Sequence, residues 1–332
     1  MIKPMFSWQV AENLGIEGLV QVDIPIPLPK PGELLVKVEV AALNYSDLLM
    51  INDTYQIKPP KPFTPGQEIA GKVVKVGEGV MFDVGQRIAS KVLFGGFAEY
   101  AIVRADMVIA VPETIALSSA VTLPVSYTTA MVAFTKVLKV HNNDYVLIHS
   151  AAGGLGLAAV QIARYLGVRV LATAGTDDKC RVAKENGAEM AINYLKQNWY
   201  HAILEATENK GVDVIFDSVG GKVTQESLKC LAWQGRLLIV GFSSGDLPYI
   251  PAHRLLLKNA SAIGVYWSHD HNQEMLSSIG KNLVQLCVSG DIQPIIWNYY
   301  SFKDLPQALS DLRDRNSFGK LLMKFSEEGA IE

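Results

Sequence analysis

Residues 145–156 read Tyr145-Val146-Leu147-Ile148-His149-Ser150-Ala151-Ala152-Gly153-Gly154-Leu155-Gly156, and their reading decides the fold. An apolar run of strand length stops at a turn of small residues, which opens at once into the apolar helical pattern of Leu155 to Leu166. The turn is an A-x-G-x-x-G form of the dinucleotide fingerprint. In that motif Gly153 lets the backbone approach a pyrophosphate and Gly156 lets helix and strand pack closely. The helix start supplies amide hydrogens and a partial positive charge. Ala151 stands where the fingerprint has its first glycine, so the turn there tolerates a side chain.

The same texture continues outward. Val168 to Ala172, Val212 to Phe216 and Arg236 to Val240 are apolar runs, separated by helical patterns such as Asp178 to Asn186. Uniformly apolar strands alternating with helices predict a parallel, doubly wound sheet. Upstream, Leu34 to Val111 alternates short apolar runs with Gly and Pro, which predicts β structure. Pro25, Pro27, Pro29 and Pro31 suit an extended edge. Downstream, Ile295 to Phe325 returns to aromatic, β-like sequence and is expected to pack back on the first domain. The expected α/β chain therefore has a domain over 1–123, a nucleotide-binding Rossmann domain over 124–297, and a return to the first domain over 298–332.

The fingerprint's acidic residue, which binds a ribose 2′-hydroxyl, belongs at the end of the second strand. That end reads Thr173-Ala174-Gly175-Thr176, without a carboxylate, and Lys179 follows one helical turn later. This predicts NADPH rather than NADH, with Asp177 and Asp178 read as helix caps satisfied by backbone amides.

The 332 residues exceed one domain of roughly 100–200 residues. Apolar residues make up 49% and charged ones 19%, which excludes a disordered chain; a net charge of −3 offers no field for nucleic acid or anionic lipid. Three scattered cysteines, Cys180, Cys230 and Cys287, fit a reducing cytoplasm rather than a disulfide framework. Met1 to Gly15 has no apolar core behind a basic start, as a secretory signal would. Ile115 to Thr135 is uncharged for its whole length but holds seven Ser or Thr and Pro124, so it reads as the start of a buried helix rather than a membrane span.

Taken with Asn44-Tyr45-Ser46-Asp47, Pro65-Gly66-Gln67-Glu68-Ile69-Ala70-Gly71, Gly95-Gly96-Phe97-Ala98-Glu99-Tyr100, Leu123-Pro124 ahead of Thr129-Ala130, Asp217-Ser218-Val219-Gly220-Gly221 and Gly319-Lys320, the chain resembles the zinc-independent quinone oxidoreductases of the medium-chain dehydrogenase/reductase superfamily. The resemblance implies a GroES-like β-barrel catalytic domain built from both chain ends, a Rossmann domain, an active site in the cleft, and a homodimer. It places Thr129 near the nicotinamide, and Ala152, Gly153, Gly154 and Leu155 at the pyrophosphate. Gly175, Thr176 and Lys179 fall at the 2′-phosphate, with Tyr194 beside the adenosine. Ser218, Val219, Gly241 and Phe242 lie at strand ends where such folds bind ligands, and Arg315 matches a cofactor-side arginine. Zinc-dependent relatives carry a cysteine near Asn44 and a His-Glu pair near Gln67-Glu68; neither Cys nor His is present here, so no metal is expected and Glu68 is read as a structural hydrogen-bonding residue.

Two other constellations deserve weighing. Gly241-Phe242-Ser243-Ser244-Gly245 matches a G-x-S-x-G elbow, but Pro248 and Pro251 follow where that elbow needs a helix, which argues against a serine hydrolase. His269-Asp270-His271 has no third and fourth ligand nearby and reads as an exposed polar turn. The resulting expectation is a small-molecule reductase passing hydride from NADPH to a quinone or enone. Asn44, also a cofactor contact, and Tyr55 are its polar neighbours at the acceptor, and Tyr45, Trp267 and Phe94 form apolar wall. An enoyl-thioester reductase of the same fold, or a nucleotide-binding protein with little turnover, are the alternatives.

Overall fold

The computed structural model describes residues 4–12 and 14–325. The Met1 to Gly15 reading and the outer limits of the domains at 1–123 and 298–332 thus fall partly outside the described residues. The chain divides into two compact units, one of 1–125, 269–288 and 295–332, the other of 126–268 and 289–294.

The second unit carries a six-stranded sheet in which every pairing is parallel. Its order is Met190–Asn193, Arg169–Ala174, Tyr145–Ile148, Val212–Asp217, Leu231–Ile239, Ser261–Gly264. The three central strands, Arg169–Ala174, Tyr145–Ile148 and Val212–Asp217, are buried on both faces, which is why they read as continuous apolar runs. Strand order reverses beside Tyr145–Ile148, so the turn after that strand lies at the topological switch point. His149, the first residue past the strand, is buried; its Nδ1 pairs with Thr173 Oγ1 and its Nε2 with Ser227 Oγ, each at 2.8 Å. Burial pushes its pKa down to about 4, so the ring is neutral in the core.

The first unit holds a seven-stranded, mainly antiparallel sheet, with a separate hairpin-like pair Pro4–Val10 and Leu19–Pro25. Of the spaced prolines, Pro25 ends that pair and the next three lie in the connection to Glu33–Ala42. Strand Lys320–Lys324 pairs antiparallel with Glu33–Ala42 and parallel with Ile296–Ser301, so these late strands are part of the first unit's sheet. Between them lies a helix, Leu305–Arg313, that packs Leu305, Ala308 and Leu309 into the core.

The stretch Leu117–Val137 is helical, with two wider π-turns, and is long and apolar enough to cross a membrane by length and composition; most of it is buried inside the protein. Residues 243–245, at the end of the G-x-S-x-G match, form a turn, and 246–251 have no regular structure, not the helix an elbow requires. His269-Asp270-His271 is not a turn: it opens the helix His269–Ser289, with Asp270 and His271 exposed and His269 half-buried. Asp270 is held by Arg104 Nη1 at 2.7 Å, a partner too distant in sequence for local polarity to reveal.

Candidate active site

In the second unit Gly153 caps the helix Gly154–Tyr165 in an extended conformation, with Ala152 buried before it and Gly154 and Leu155 in the first turn. First-turn amides have no acceptor within their own helix and point outward from its start. A Cβ on Gly153 would meet only Ser150, at 3.3–3.4 Å; a Cβ on Gly156 would run into the Ser150 carbonyl oxygen and the Ala151 backbone. Bare backbone at 153 thus leaves room for a ligand, and bare backbone at 156 is demanded by packing.

The neighbouring strand ends at Ala174. Gly175 follows, and Thr176 caps the helix Asp177–Glu185, its Oγ1 accepting from the Lys179 amide at 3.2 Å. The cap is therefore Thr176, not the two aspartates. From the N-cap position a short hydroxyl reaches the third amide, whereas the next two side chains point away. Asp177 is instead bonded by Asn193 Nδ2 at 2.8 Å and by the Lys196 ammonium, which lower its pKa, and Asp178 faces Arg181 at 3.6 Å. Tyr194 donates its amide to Ala174 O at 3.1 Å, and its hydroxyl lies 2.9 Å from where a Gly175 Cβ would stand. Gly175, Thr176, Lys179 and Tyr194 are thus gathered at one strand end.

Two strands further on, Ser243 N donates to Ser218 O at 3.0 Å and Ser244 N to Val219 O at 2.9 Å, which sets Gly241-Phe242 beside Ser218-Val219. Asp217 holds this turn by accepting from Val219 N, Gly220 N and the Thr224 hydroxyl. Thr129, on the helix Thr128–Val132, accepts from the Trp267 indole at 3.1 Å. Trp267 is more than apolar wall: it is buried, and its indole N–H is spent on Thr129.

The first unit holds a buried polar cluster around Asn44. Lys320 Nζ donates to Asn44 Oδ1 at 2.8 Å and to Glu68 Oε2 at 2.9 Å, while Asn44 Nδ2 donates to Glu68 Oε2 at 3.1 Å and to Ala42 O at 3.3 Å. Glu68 Oε1 accepts from Val125 N at 2.8 Å, which gives Glu68 the structural hydrogen-bonding role expected of it. Asp47 Oδ2 accepts from the Asn44 amide at 2.8 Å, and Ser46 Oγ bonds Gln67 Oε1. Asp47, Gln67, Glu68 and Lys320 are all buried. Asp47 Oδ1 has no hydrogen-bond partner, and burial raises the Asp47 pKa to about 7 despite the Asn44 amide and the Lys320 charge.

This cluster corrects one expectation. Asn44 is expected as a polar neighbour at the acceptor, but it has no hydrogen to give an acceptor oxygen: both its amide hydrogens are committed, to Glu68 and Ala42. Tyr55 lies half-buried in the loop after the helix Tyr45–Ile51, packed against the first unit's core, as is Tyr45. Phe94 is exposed and meets Phe63 edge-on at 6.4 Å. Arg315 is exposed in the turn after Leu305–Arg313, at φ 57°. Lys320 and Asp47 were given no role by sequence reasoning; the Gly319-Lys320 pair was the available signal. Gly319, at φ 61°, presses so close to Ile295 that a Cβ would strike its carbonyl oxygen, and this delivers Lys320 into the core.

The donor set does not fit a zinc ion. Asn44 Oδ1 and Glu68 Oε2 already converge on an ammonium, and among the described residues no three His, Cys, Asp or Glu side chains group as a metal would need.

A glycine turn at the switch point of a parallel sheet, with a separate antiparallel unit closed by the chain's late strands, is the architecture of the medium-chain dehydrogenases and reductases. Residues 30–113 match the alcohol dehydrogenase GroES-like domain, and 154–281 match the zinc-binding dehydrogenase domain. The chain is 35% identical over 297 residues to quinone oxidoreductase-like protein 2 of Mus musculus, covering 88% of this chain and 85% of the relative. It is 32% identical over 326 residues to the quinone oxidoreductase of Rattus norvegicus, covering 97% and 98%. Among solved structures, the Escherichia coli quinone oxidoreductase complexed with NADPH superposes with a TM-score of 0.90 at 28% identity, over 96% of this chain and 100% of that one. A mycobacterial protein complexed with NADPH gives 0.90 at 30% identity, over 97% and 100%. The chain belongs to the quinone oxidoreductase-like family of the medium-chain dehydrogenase/reductase superfamily.

Proposed function

We propose that this chain is an NADPH-dependent reductase that passes hydride to a quinone or another conjugated carbonyl without a metal. The observation that carries the reading is the strand end at Gly175, where Thr176, Lys179 and Tyr194 gather and the Asp177 carboxylate is paired with Lys196. A 2′-phosphate is favoured there over a 2′-hydroxyl, and the NADPH complexes of two structural neighbours support the same choice. Gly153, Gly154 and Leu155 hold the pyrophosphate with backbone amides. Ser218, Val219, Gly241 and Phe242 border the nicotinamide half, and Thr129, fixed by Trp267, orients it.

When bound, NADPH supplies the hydride. Tyr55 donates a hydrogen bond to the acceptor oxygen as charge develops, and Asn44 contacts the cofactor side. Quinones suit this residue set because their oxyanion is delocalised and needs no strong acid. The Asn44–Glu68–Lys320 arrangement supports a metal-free reaction. We further propose a homodimer formed through the sheet-edge strand Ser261–Gly264, flanked in sequence by exposed Leu256, Leu257 and Tyr266.

NADPH absorbance followed with para-quinones, ortho-quinones, enones and enoyl-thioesters tests the reading. Turnover with quinones is expected in chelator as well as without it. Turnover confined to enoyl-thioesters, NADPH binding with background turnover only, or one zinc per chain with chelator inhibition would each overturn the corresponding part.

A further inference from the structure

We propose that Lys320 is the positioning residue for Asn44, and that it makes Asn44 a hydrogen-bond acceptor toward its ligand. The inference rests on the reading above that Asn44 meets a ligand. An ammonium has only hydrogens to offer, so the end of the Asn44 amide that faces Lys320 at 2.8 Å is its oxygen. The Glu68 carboxylate and the Ala42 carbonyl only accept, so the end that faces them is the nitrogen. Reversing the amide would set N–H groups against the ammonium and oxygen against oxygen, inside a buried cluster where such mismatches are costly.

The backbone around the amide is held as well. The Asn44 N–H is bonded by Asp47 Oδ2, and the next strand is stitched on both sides, by Leu43 N to Leu321 O at 3.0 Å and by Lys320 N to Ile295 O at 2.9 Å. Lys320 is itself buried and acts only through Asn44. With both hydrogens engaged, half-buried Asn44 has no donor left to offer; its Oδ1, which faces the Lys320 ammonium and, in a capping box, the Asp47 backbone N–H, is the side-chain atom left to meet a ligand. It recognises an N–H or O–H group, such as the carboxamide or a ribose hydroxyl of a nicotinamide nucleotide, and not a carbonyl or an oxyanion.

The test compares Lys320→Met with Lys320→Met/Glu68→Gln. The single variant leaves Glu68 buried without its cation and is expected to lower Tm; the double variant removes that charge and restores Tm. In the double variant, and not in Glu68→Gln alone, the Asn44 side-chain amide protons, followed by NMR on chain labelled with 15N-asparagine and assigned by their loss in Asn44→Ala, should pass from slow to fast exchange. NADPH affinity, by fluorescence titration, and kcat/KM with a quinone should fall tenfold or more. Amide protection unchanged in the double variant would overturn the positioning role, whatever the activity. An amide set free while NADPH affinity and kcat/KM stay at wild-type values would overturn the ligand contact. If the wild-type chain binds no NADPH, the proposed function fails, and the exchange measurement still decides whether Lys320 holds Asn44.

Discussion

Gly156 lies so close to the carbonyl oxygen of Ser150 that no side chain fits between the helix Gly154–Tyr165 and the turn before it. Gly156→Ala is therefore expected to cost about 1–3 kcal/mol of stability by overpacking. Gly153→Val, whose Cβ would touch Ser150 at 3.3–3.4 Å and ask only a small shift of it, should stay folded and lose NADPH binding. Urea unfolding and fluorescence titration of the two variants separate the roles; a Gly153→Val protein that keeps its NADPH affinity places the pyrophosphate elsewhere.

Lys179→Ala is expected to weaken NADPH about tenfold or more through loss of one charged phosphate contact, with NADH nearly unchanged. Thr176 continues to cap the helix, because the Lys179 backbone amide that it accepts from is retained. Equal losses for both cofactors, measured by titration, would refute the assignment.

Tyr55→Phe should lower kcat/KM for a quinone five- to hundredfold, since a donor to a developing oxyanion contributes about 1–3 kcal/mol and less where water replaces it. With both Asn44 hydrogens committed, Tyr55 is expected to act here without that partner. Direct NADPH titration should be unchanged, and a silent mutant would remove Tyr55 from the mechanism.

Stability should respond to pH in two opposed ways. Asp47 has its pKa raised from 3.8 to about 7, so the folded chain binds a proton that the unfolded chain releases; its contribution is full below pH 3.8 and is lost as pH rises through 7. Asp47→Asn should therefore raise Tm relative to wild type more at pH 8 than at pH 5. A gap that does not change with pH would mean Asp47 is ionised throughout.

His149 acts with the other sign. Its folded pKa, about 4, lies below the ordinary 6.5, so its contribution is present above pH 6.5 and is lost as pH falls toward 4. His149→Gln should be less stable than wild type at pH 7, and denaturant titrations should show the difference shrinking by pH 4.5.

The nucleotide-binding half was legible because its signals are local. Strand, glycine turn and helix at 145–166 lie in consecutive residues, and the structure reproduces them within a residue or two. The capping of Asp177–Glu185 was misread because aspartate and threonine are both good caps, and only the hydroxyl's reach to the Lys179 amide decides between them. Around Asn44 the sequence named a polar residue but not the partners that take up its hydrogens. What fixes its amide is a lysine 276 residues away, and a cation's partner at that distance leaves no periodic trace. Glu68 and Lys320 each looked ordinary alone; their chemistry exists only as a pair.

Strand Lys320–Lys324 completes a sheet whose neighbouring strand begins at Glu33. On the ribosome, nearly three hundred residues, including the whole parallel-sheet unit, emerge between the two. Through that interval Glu68 has no ammonium to pair with, and the Glu33–Ala42 strand shows an open flank at Val40 to Ala42. The first unit to be started is thus the last to be finished, and translation that stalls before Gly319 leaves a nascent chain with a completed nucleotide-binding sheet beside a barrel still missing its counter-charge.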